Sequence, residues 1–251
     1  MIEPVINHSL DNAFDIAICV GPNDANIISK QIEYTKNNII GYRNIYLICY
    51  DPTIIIDGCI TINENIFPFS LETVSNMHGK LDRNGWYLQQ LLKLYALITI
   101  PEMLERCLVI DADTFFLKPT TFIKNNKCLY NIGSEYHRPY FQHMIKLDES
   151  LIKVDNTKSG ITHHMMFEKT YINKLINKIE QKHNDKFYNV FLKMVTEFMG
   201  AGASEYEIYF NYMLKNYNDK IELRRLKWAN TNSLDVRADF DYISYHWYMR
   251  H

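Results

Sequence analysis

Asp111 and Asp113 are the residues most able to do chemistry in this sequence. They close the apolar run Cys107-Leu108-Val109-Ile110 and are followed at once by Thr114-Phe115-Phe116-Leu117-Lys118-Pro119. A continuous apolar run of this kind is the pattern of a strand buried on both faces. Alternate residues of an extended segment project to the same side, so Asp111 and Asp113 point together and Ala112 lies between them. Two neighbouring carboxylates repel unless a cation bridges them, and their hard oxygens suit Mn²⁺ or Mg²⁺. Such an ion can carry a diphosphate and stabilise it as a leaving group. A pair of turn-forming aspartates after a strand is the bland alternative. The apolar flanks on both sides argue against a solvated loop.

The elements that must position this pair are legible around it. Residues 14–20 read as a strand ending in the turn Gly21-Pro22-Asn23-Asp24, where Asp24 doubles as a helix cap. Residues 25–38 have helical spacing, and residues 45–50 form a second strand stopped by Asp51-Pro52. Residues 54–56 and 59–62 look like short strands. A β-α-β opening implies parallel strands joined by a right-handed crossover. A leucine-striped helix covers residues 85–99, and further helices are expected at 168–182, at 185–198 and from Ser204 through Tyr212. With no repeat, low-complexity tract or linker, the chain reads as one α/β domain over residues 1–251. Its sheet is twisted and mostly parallel, flanked by helices, with residues 1–119 forming one half and 120–251 a helix-rich second half.

Other residues could serve the same site. Trp86, Gln89 and Lys93 fall on one helical face. Lys93 sits among leucines, where an unpaired cation is costly, and could reach a phosphate or Asp111; a lysine snorkelling at the helix edge is the alternative. Arg83, just before that helix, is a further phosphate contact. In His163-His164 only one ring can enter a given site if both lie on a strand, and His164 is taken as a donor contact. Ser204 and Glu207 match a capping box, while Glu205 beside them is a carboxylate at a helix start after Gly200-Ala201-Gly202-Ala203. Trp228 and Trp247 are candidates for stacking on a sugar ring.

The bulk properties bound the reading. The 251 residues are 47% hydrophobic and carry a net charge of -2, so this is a folded chain with no basic field for nucleic acid. Five scattered cysteines without a C-x-x-C pair read as reduced core residues. No signal peptide or run of about 20 apolar residues is visible, which leads to the expectation of a cytoplasmic protein without a transmembrane segment.

The segment 108–119 resembles the metal-binding strand of GT-A glycosyltransferases, a Rossmann-like fold that transfers sugars from nucleoside diphosphates. The likeness is good over residues 83–119 and loose over most of the chain. It implies a nucleotide-sugar donor, UDP-linked by preference, and a hydroxyl of a glycan or protein as acceptor. It implies that Asp113 ligates Mn²⁺ or Mg²⁺, and that Asp111 touches the donor ribose or the metal. His246, in Tyr245-His246-Trp247-Tyr248, would be a third metal ligand. Val20, Gly21, Pro22 and Asp24 would hold the uracil and ribose. Glu205, or less readily Glu207, would be the base that takes the acceptor proton. A haloacid-dehalogenase-like phosphatase is the first alternative, but Phe115 stands where that pattern wants Thr or Val, and the motif lies far from the amino terminus. A non-catalytic nucleotide-sugar-binding module is the second.

Overall fold

The computed structural model of the chain describes residues 12–235 and 239–250. In chain order the elements are β1 (Phe14–Val20), α1 (Ile28–Asn38), β2 (Ile39–Ile40), β3 (Tyr42–Cys49), β4 (Ile60–Asn63), α2 (Leu71–His78), α3 (Asn84–Thr99), β5 (Arg106–Asp111), β6 (Thr114–Phe116), β7 (Thr120–Thr121), β8 (Ile123–Lys124), β9 (Lys127–Asn131), α4 (Arg138–Leu147), β10 (His164–Glu168), α5 (Lys169–His183), α6 (Phe187–Met194), α7 (Glu205–Asn216), β11 (Ile221–Arg224), β12 (Trp228–Asn230) and β13 (Tyr242–Ser244).

The central sheet has the order β10-β5-β1-β3-β4. β5, β1, β3 and β4 are parallel, and β10 closes one edge in the antiparallel sense. The fold is therefore mixed α/β with a mostly parallel sheet flanked by helices, as the apolar runs imply. All seven residues of β1 are buried, as a strand covered on both faces requires. One hydrophobic core spans both halves of the chain, from Phe14 to Tyr242. The chain runs from β1 outward through β3 and β4, then returns to the other side of β1 with β5. Strand order reverses between β1 and β5, and Cys19 sits opposite Asp111 at that crevice. Open α/β sheets bind ligands at this kind of switch point, outside the carboxyl ends of the strands.

A second sheet, β12-β13-β6, folds the carboxyl-terminal segment back over this edge. Ser244 pairs with Thr114, and the Tyr245 N–H donates to the Asp113 carbonyl at 2.7 Å. Among the described residues no helix is long and apolar enough to cross a membrane. All five cysteines are free, and four are buried.

Several local expectations shift. The first helix starts at Ile28, not residue 25, because residues 22–27 form turns in which the Asp24 carbonyl accepts from the Ile27 and Ile28 amides. Residues 54–56 are not a strand. Asp51 accepts from both the Thr53 amide (2.9 Å) and its hydroxyl (2.7 Å), which turns the chain; Ile54 and Ile56 then pack inward while Ile55 is 82% exposed. The helix expected over 185–198 is only Phe187–Met194. α2, opened by a true Ser70–Thr73 capping box, and α4 were not anticipated.

His143 on α4 is buried, with Nε2 2.8 Å from the Phe191 carbonyl and Nδ1 without a partner among the described residues. Burial pulls its pKa down to about 4, and burial likewise pulls His164 down to about 3. The folded values lie below the unfolded value of about 6.5, so this stability is present above pH 6.5 and is lost as pH falls toward 4. For His143 the loss is roughly 3 kcal/mol when complete. Urea unfolding at pH 7 and pH 4.5 should show it, and His143→Gln should flatten the pH dependence by that share. An unchanged pH slope in the variant would refute the assignment.

Candidate functional site

Asp111 ends β5 with its side chain 20% exposed. Its Oδ1 accepts from the Lys93 ammonium (2.5 Å) and the Tyr206 hydroxyl (2.7 Å), and its Oδ2 lies 3.2 Å from His163 Nδ1. Asp113, two residues on, is 13% exposed; it accepts from the Ser244 hydroxyl (3.2 Å) and lies 2.9 Å from His246 Nδ1. The two imidazoles meet edge to face, 5.0 Å between ring centres. The strand end thus gathers two partly exposed carboxylates and two imidazoles.

Each partner arrives by a different route. Lys93 comes from the middle of α3, which packs on β1 and β5. Its ammonium is 3% exposed, lies over the Tyr206 ring and also pairs with Glu205 at 2.8 Å. Tyr206 comes from α7, which approaches residue 160 so closely that a Cβ there would meet the Phe210 Cβ at 2.6 Å; only glycine fits. His163 precedes β10 and has φ +63°. This left-handed conformation is uncommon for a side chain with a Cβ, though histidine is among the types enriched there. It lets the His163 carbonyl accept from the Asp111 amide (2.9 Å) while the ring turns to the carboxylate.

The electrostatics follow from these pairs. Burial alone would raise the Asp111 pKa, but the Lys93 charge and then the His163 contact outweigh it and hold the carboxyl below the usual carboxylate range. Burial would lower Lys93, yet Asp111 and Glu205 keep it above its ordinary value. Glu205 is raised, by burial first, with Lys93 opposing. Burial works against a charged His246, but the Asp113 hydrogen bond and charge prevail and raise its pKa. Asp111 and Glu205 share the Lys93 ammonium while Asp113 pairs with an imidazole, so among the described residues these carboxylates outnumber the ammonium groups they contact.

The expected residues divide clearly. Lys93 reaches Asp111, as its place on the helix suggested. Trp86 and Gln89 on the same face are half-buried, and Arg83 is exposed above the Trp86 ring at 5.6 Å. Val20 and Ala112 are buried at the strand ends, Pro22 is exposed, and a Cβ at Gly21 would meet nothing within 4 Å. Asp24 does not cap α1; its carboxylate holds Arg250 at 2.7 Å and ties the carboxyl-terminal segment to the β1 turn.

Three readings are corrected. His164 is not the histidine at the site. It is 2% exposed and caged by Phe116, Phe122 and Tyr242, because the left-handed turn at His163 hands the site to its neighbour. Glu207 does not complete a capping box. Ser204 accepts from the Glu207 amide, but the Glu207 carboxylate is fully buried, held by Ser159 (2.6 Å) and Asn211 (2.7 Å). Glu205 is 4% exposed with its carboxylate on Lys93, so neither glutamate offers a free carboxylate to a substrate proton. Sequence reasoning missed Tyr206, Ser244 and Arg250. Ser244 alone left a signal, since it lies two residues before His246 on an extended segment. The Trp247 side chain lies outside the described residues.

Residues 50–249 match a family described as a family of unknown function, DUF6492. The chain belongs to this family. The matched span contains α3, Asp111, Asp113, His163, Tyr206 and His246, whereas β1 and its turn precede it. No curated protein matches the chain.

Proposed function

We propose that the chain is a metal-dependent glycosyltransferase of the GT-A type, taking a nucleoside-diphosphate sugar, UDP-linked by preference, as donor. The observation that carries this reading is the Asp111–Asp113 pair, partly exposed at the switch point between β1 and β5 and flanked by His163 and His246. The sheet order and the antiparallel β10 edge are compatible with a Rossmann-like nucleotide-sugar fold. Among the described residues no three His, Cys, Asp or Glu side chains stand ready around one point for a metal. The donor chemistry nevertheless fits a hard divalent ion. Oxygen and imidazole ligands are both present, and carboxylates outnumber ammonium groups. Asp113, His246 and Asp111 would hold Mn²⁺ or Mg²⁺, which when bound supplies charge that stabilises a departing diphosphate.

The chain's own residues have separable tasks in this reading. Lys93 neutralises Asp111 from below, and Tyr206 and His163 fix its orientation. Gly21, where a Cβ would meet nothing within 4 Å, and the Arg83–Trp86–Gln89 face would contact the nucleotide. An acceptor hydroxyl attacks the anomeric carbon as its bond to the diphosphate breaks, and the proton passes to a base or to solvent.

The test is a thermal-shift screen of UDP, GDP, CMP and their sugars, each with and without Mn²⁺. A ligand of the folded state adds about 2.7 kcal/mol of stability at a hundredfold excess over its dissociation constant. A shift with a UDP-sugar that requires Mn²⁺ is expected. No shift with any nucleotide would overturn the reading, and a phosphomonoesterase assay would follow.

A further inference from the structure

A solvent-open cavity of about 430 Å³ lies between residues 132–134 and residues 225–228, and Trp228 on its wall touches His163 of the candidate site. Its size falls in the range of small-ligand sites. The two walls are tied together from behind. Asn131 accepts from the Leu226 amide (2.8 Å) and donates to the Tyr242 hydroxyl (2.8 Å), which donates to the Thr162 carbonyl (2.9 Å). The Ile132 amide donates to the Arg224 carbonyl (3.1 Å). The cavity is therefore framed by a buried polar network rather than by loose loops.

Trp228 is the wall shared with the site. Its indole stacks on Tyr242 at an interplanar angle of 8° and meets the His163 ring at 4.9 Å, and His163 touches Asp111. The lining also holds two cations, Arg225 and Lys227. The Lys227 ammonium has Asp239 at 3.4 Å. Arg225 is exposed, and among the described residues it makes no hydrogen bond or ion pair. A guanidinium with its fork unused, beside an aromatic wall, suits a planar or tetrahedral anion on a ring.

We propose that this cavity binds the acceptor, and that the acceptor is a sugar ring bearing a carboxylate or phosphate which Arg225 recognises. The inference rests on the glycosyl-transfer reading. Trp228 would contact the ring and place its hydroxyl toward Asp111 and Asp113.

NMR titration of the whole chain, following the Trp228 indole N–H, tests it with three probes: methyl glucuronoside, glucose 6-phosphate and methyl glucoside. At least one anionic sugar should bind about tenfold more tightly than the neutral glucoside, the scale of one charge-assisted contact. The tighter of the two anions identifies the charged group. Arg225→Gln should bring that affinity down to the neutral level, with an unchanged melting temperature. Equal affinities for all three probes, no binding by any, or an anion preference that survives in Arg225→Gln would overturn the proposal. The nucleotide screen separates the two readings. If nucleotide sugars fail to bind while the anion preference holds, glycosyl transfer falls and anion binding by the cavity stands. If they bind and the preference is absent, this proposal alone falls.

Discussion

Replacing Lys93 with methionine should destabilise the protein by about 3–5 kcal/mol, because it removes one partner from a buried ion-pair network. The ammonium is 3% exposed and lies 2.5 Å from Asp111 and 2.8 Å from Glu205. Without it, a buried Glu205 carboxylate and a partly buried Asp111 carboxylate face each other with no cation between them. Methionine keeps most of the volume, so the loss reports charge rather than a cavity. Urea unfolding at neutral pH gives the magnitude. The double variant Lys93→Met, Glu205→Gln should recover a large part of it, since it removes one of the stranded charges. That recovery separates the electrostatic account from a packing defect, which the second substitution would not repair. A loss under about 1 kcal/mol in the single variant is the value typical of solvent-screened surface pairs. It would mean that water screens these carboxylates.

On the glycosyl-transfer proposal, Asp113→Ala should lower sugar transfer by about a hundredfold or more while the protein remains folded. Asp113 accepts from the Ser244 hydroxyl and pairs with His246 Nδ1 at 2.9 Å, and its side chain is 13% exposed. Losing those contacts costs on the order of 1–2 kcal/mol, too little to unfold a domain of ordinary stability. Asp113→Asn keeps the size and an acceptor oxygen for Ser244 but removes the charge. It should therefore be nearly as inactive as the alanine variant if the carboxylate is a metal ligand. Transfer from the donor picked out by the thermal-shift screen is the readout, with Mn²⁺ titrated for each variant. Turnover near the parent level in either variant would remove Asp113 from the chemistry and leave it as a tie for the carboxyl-terminal segment.

The contrast between these two residues follows the structure. Lys93 is enclosed and holds the site together from behind, so its loss reads out first in stability. Asp113 is partly exposed and touches no buried ammonium among the described residues, so in the proposed reading its loss reads out first in activity. Asp111 stands between them, held by Lys93, Tyr206 and His163 and still 20% exposed.

Local pattern by itself determined a good deal. The apolar run 107–110 had to be a buried strand, and a buried parallel strand puts whatever follows it at a sheet edge where ligands bind. That placed Asp111 and Asp113. The stripe of α3 put Lys93 on an inward face, where it needed a counter-charge. These conclusions depend on periodicities of two and 3.6 residues, which a sequence displays directly.

Tertiary structure decided which groups meet. Lys93 and Glu205 lie 112 positions apart, and Asp24 and Arg250 are 226 apart. No short-range pattern encodes such pairings; they follow from how α7 and the carboxyl-terminal segment pack over the sheet edge. The choice between His163 and His164 turned on one left-handed backbone conformation. Alternation along a strand indicated that only one ring could enter, but it could not reveal where the strand began. The roles of Glu205 and Glu207 were misread for a related reason. In sequence Glu205 looks free and Glu207 looks like half of a capping box, whereas burial against Lys93, Ser159 and Asn211 fixes both carboxylates inward. Charged groups buried in a low-dielectric interior must find partners, and only the packed chain determines which partners are within reach.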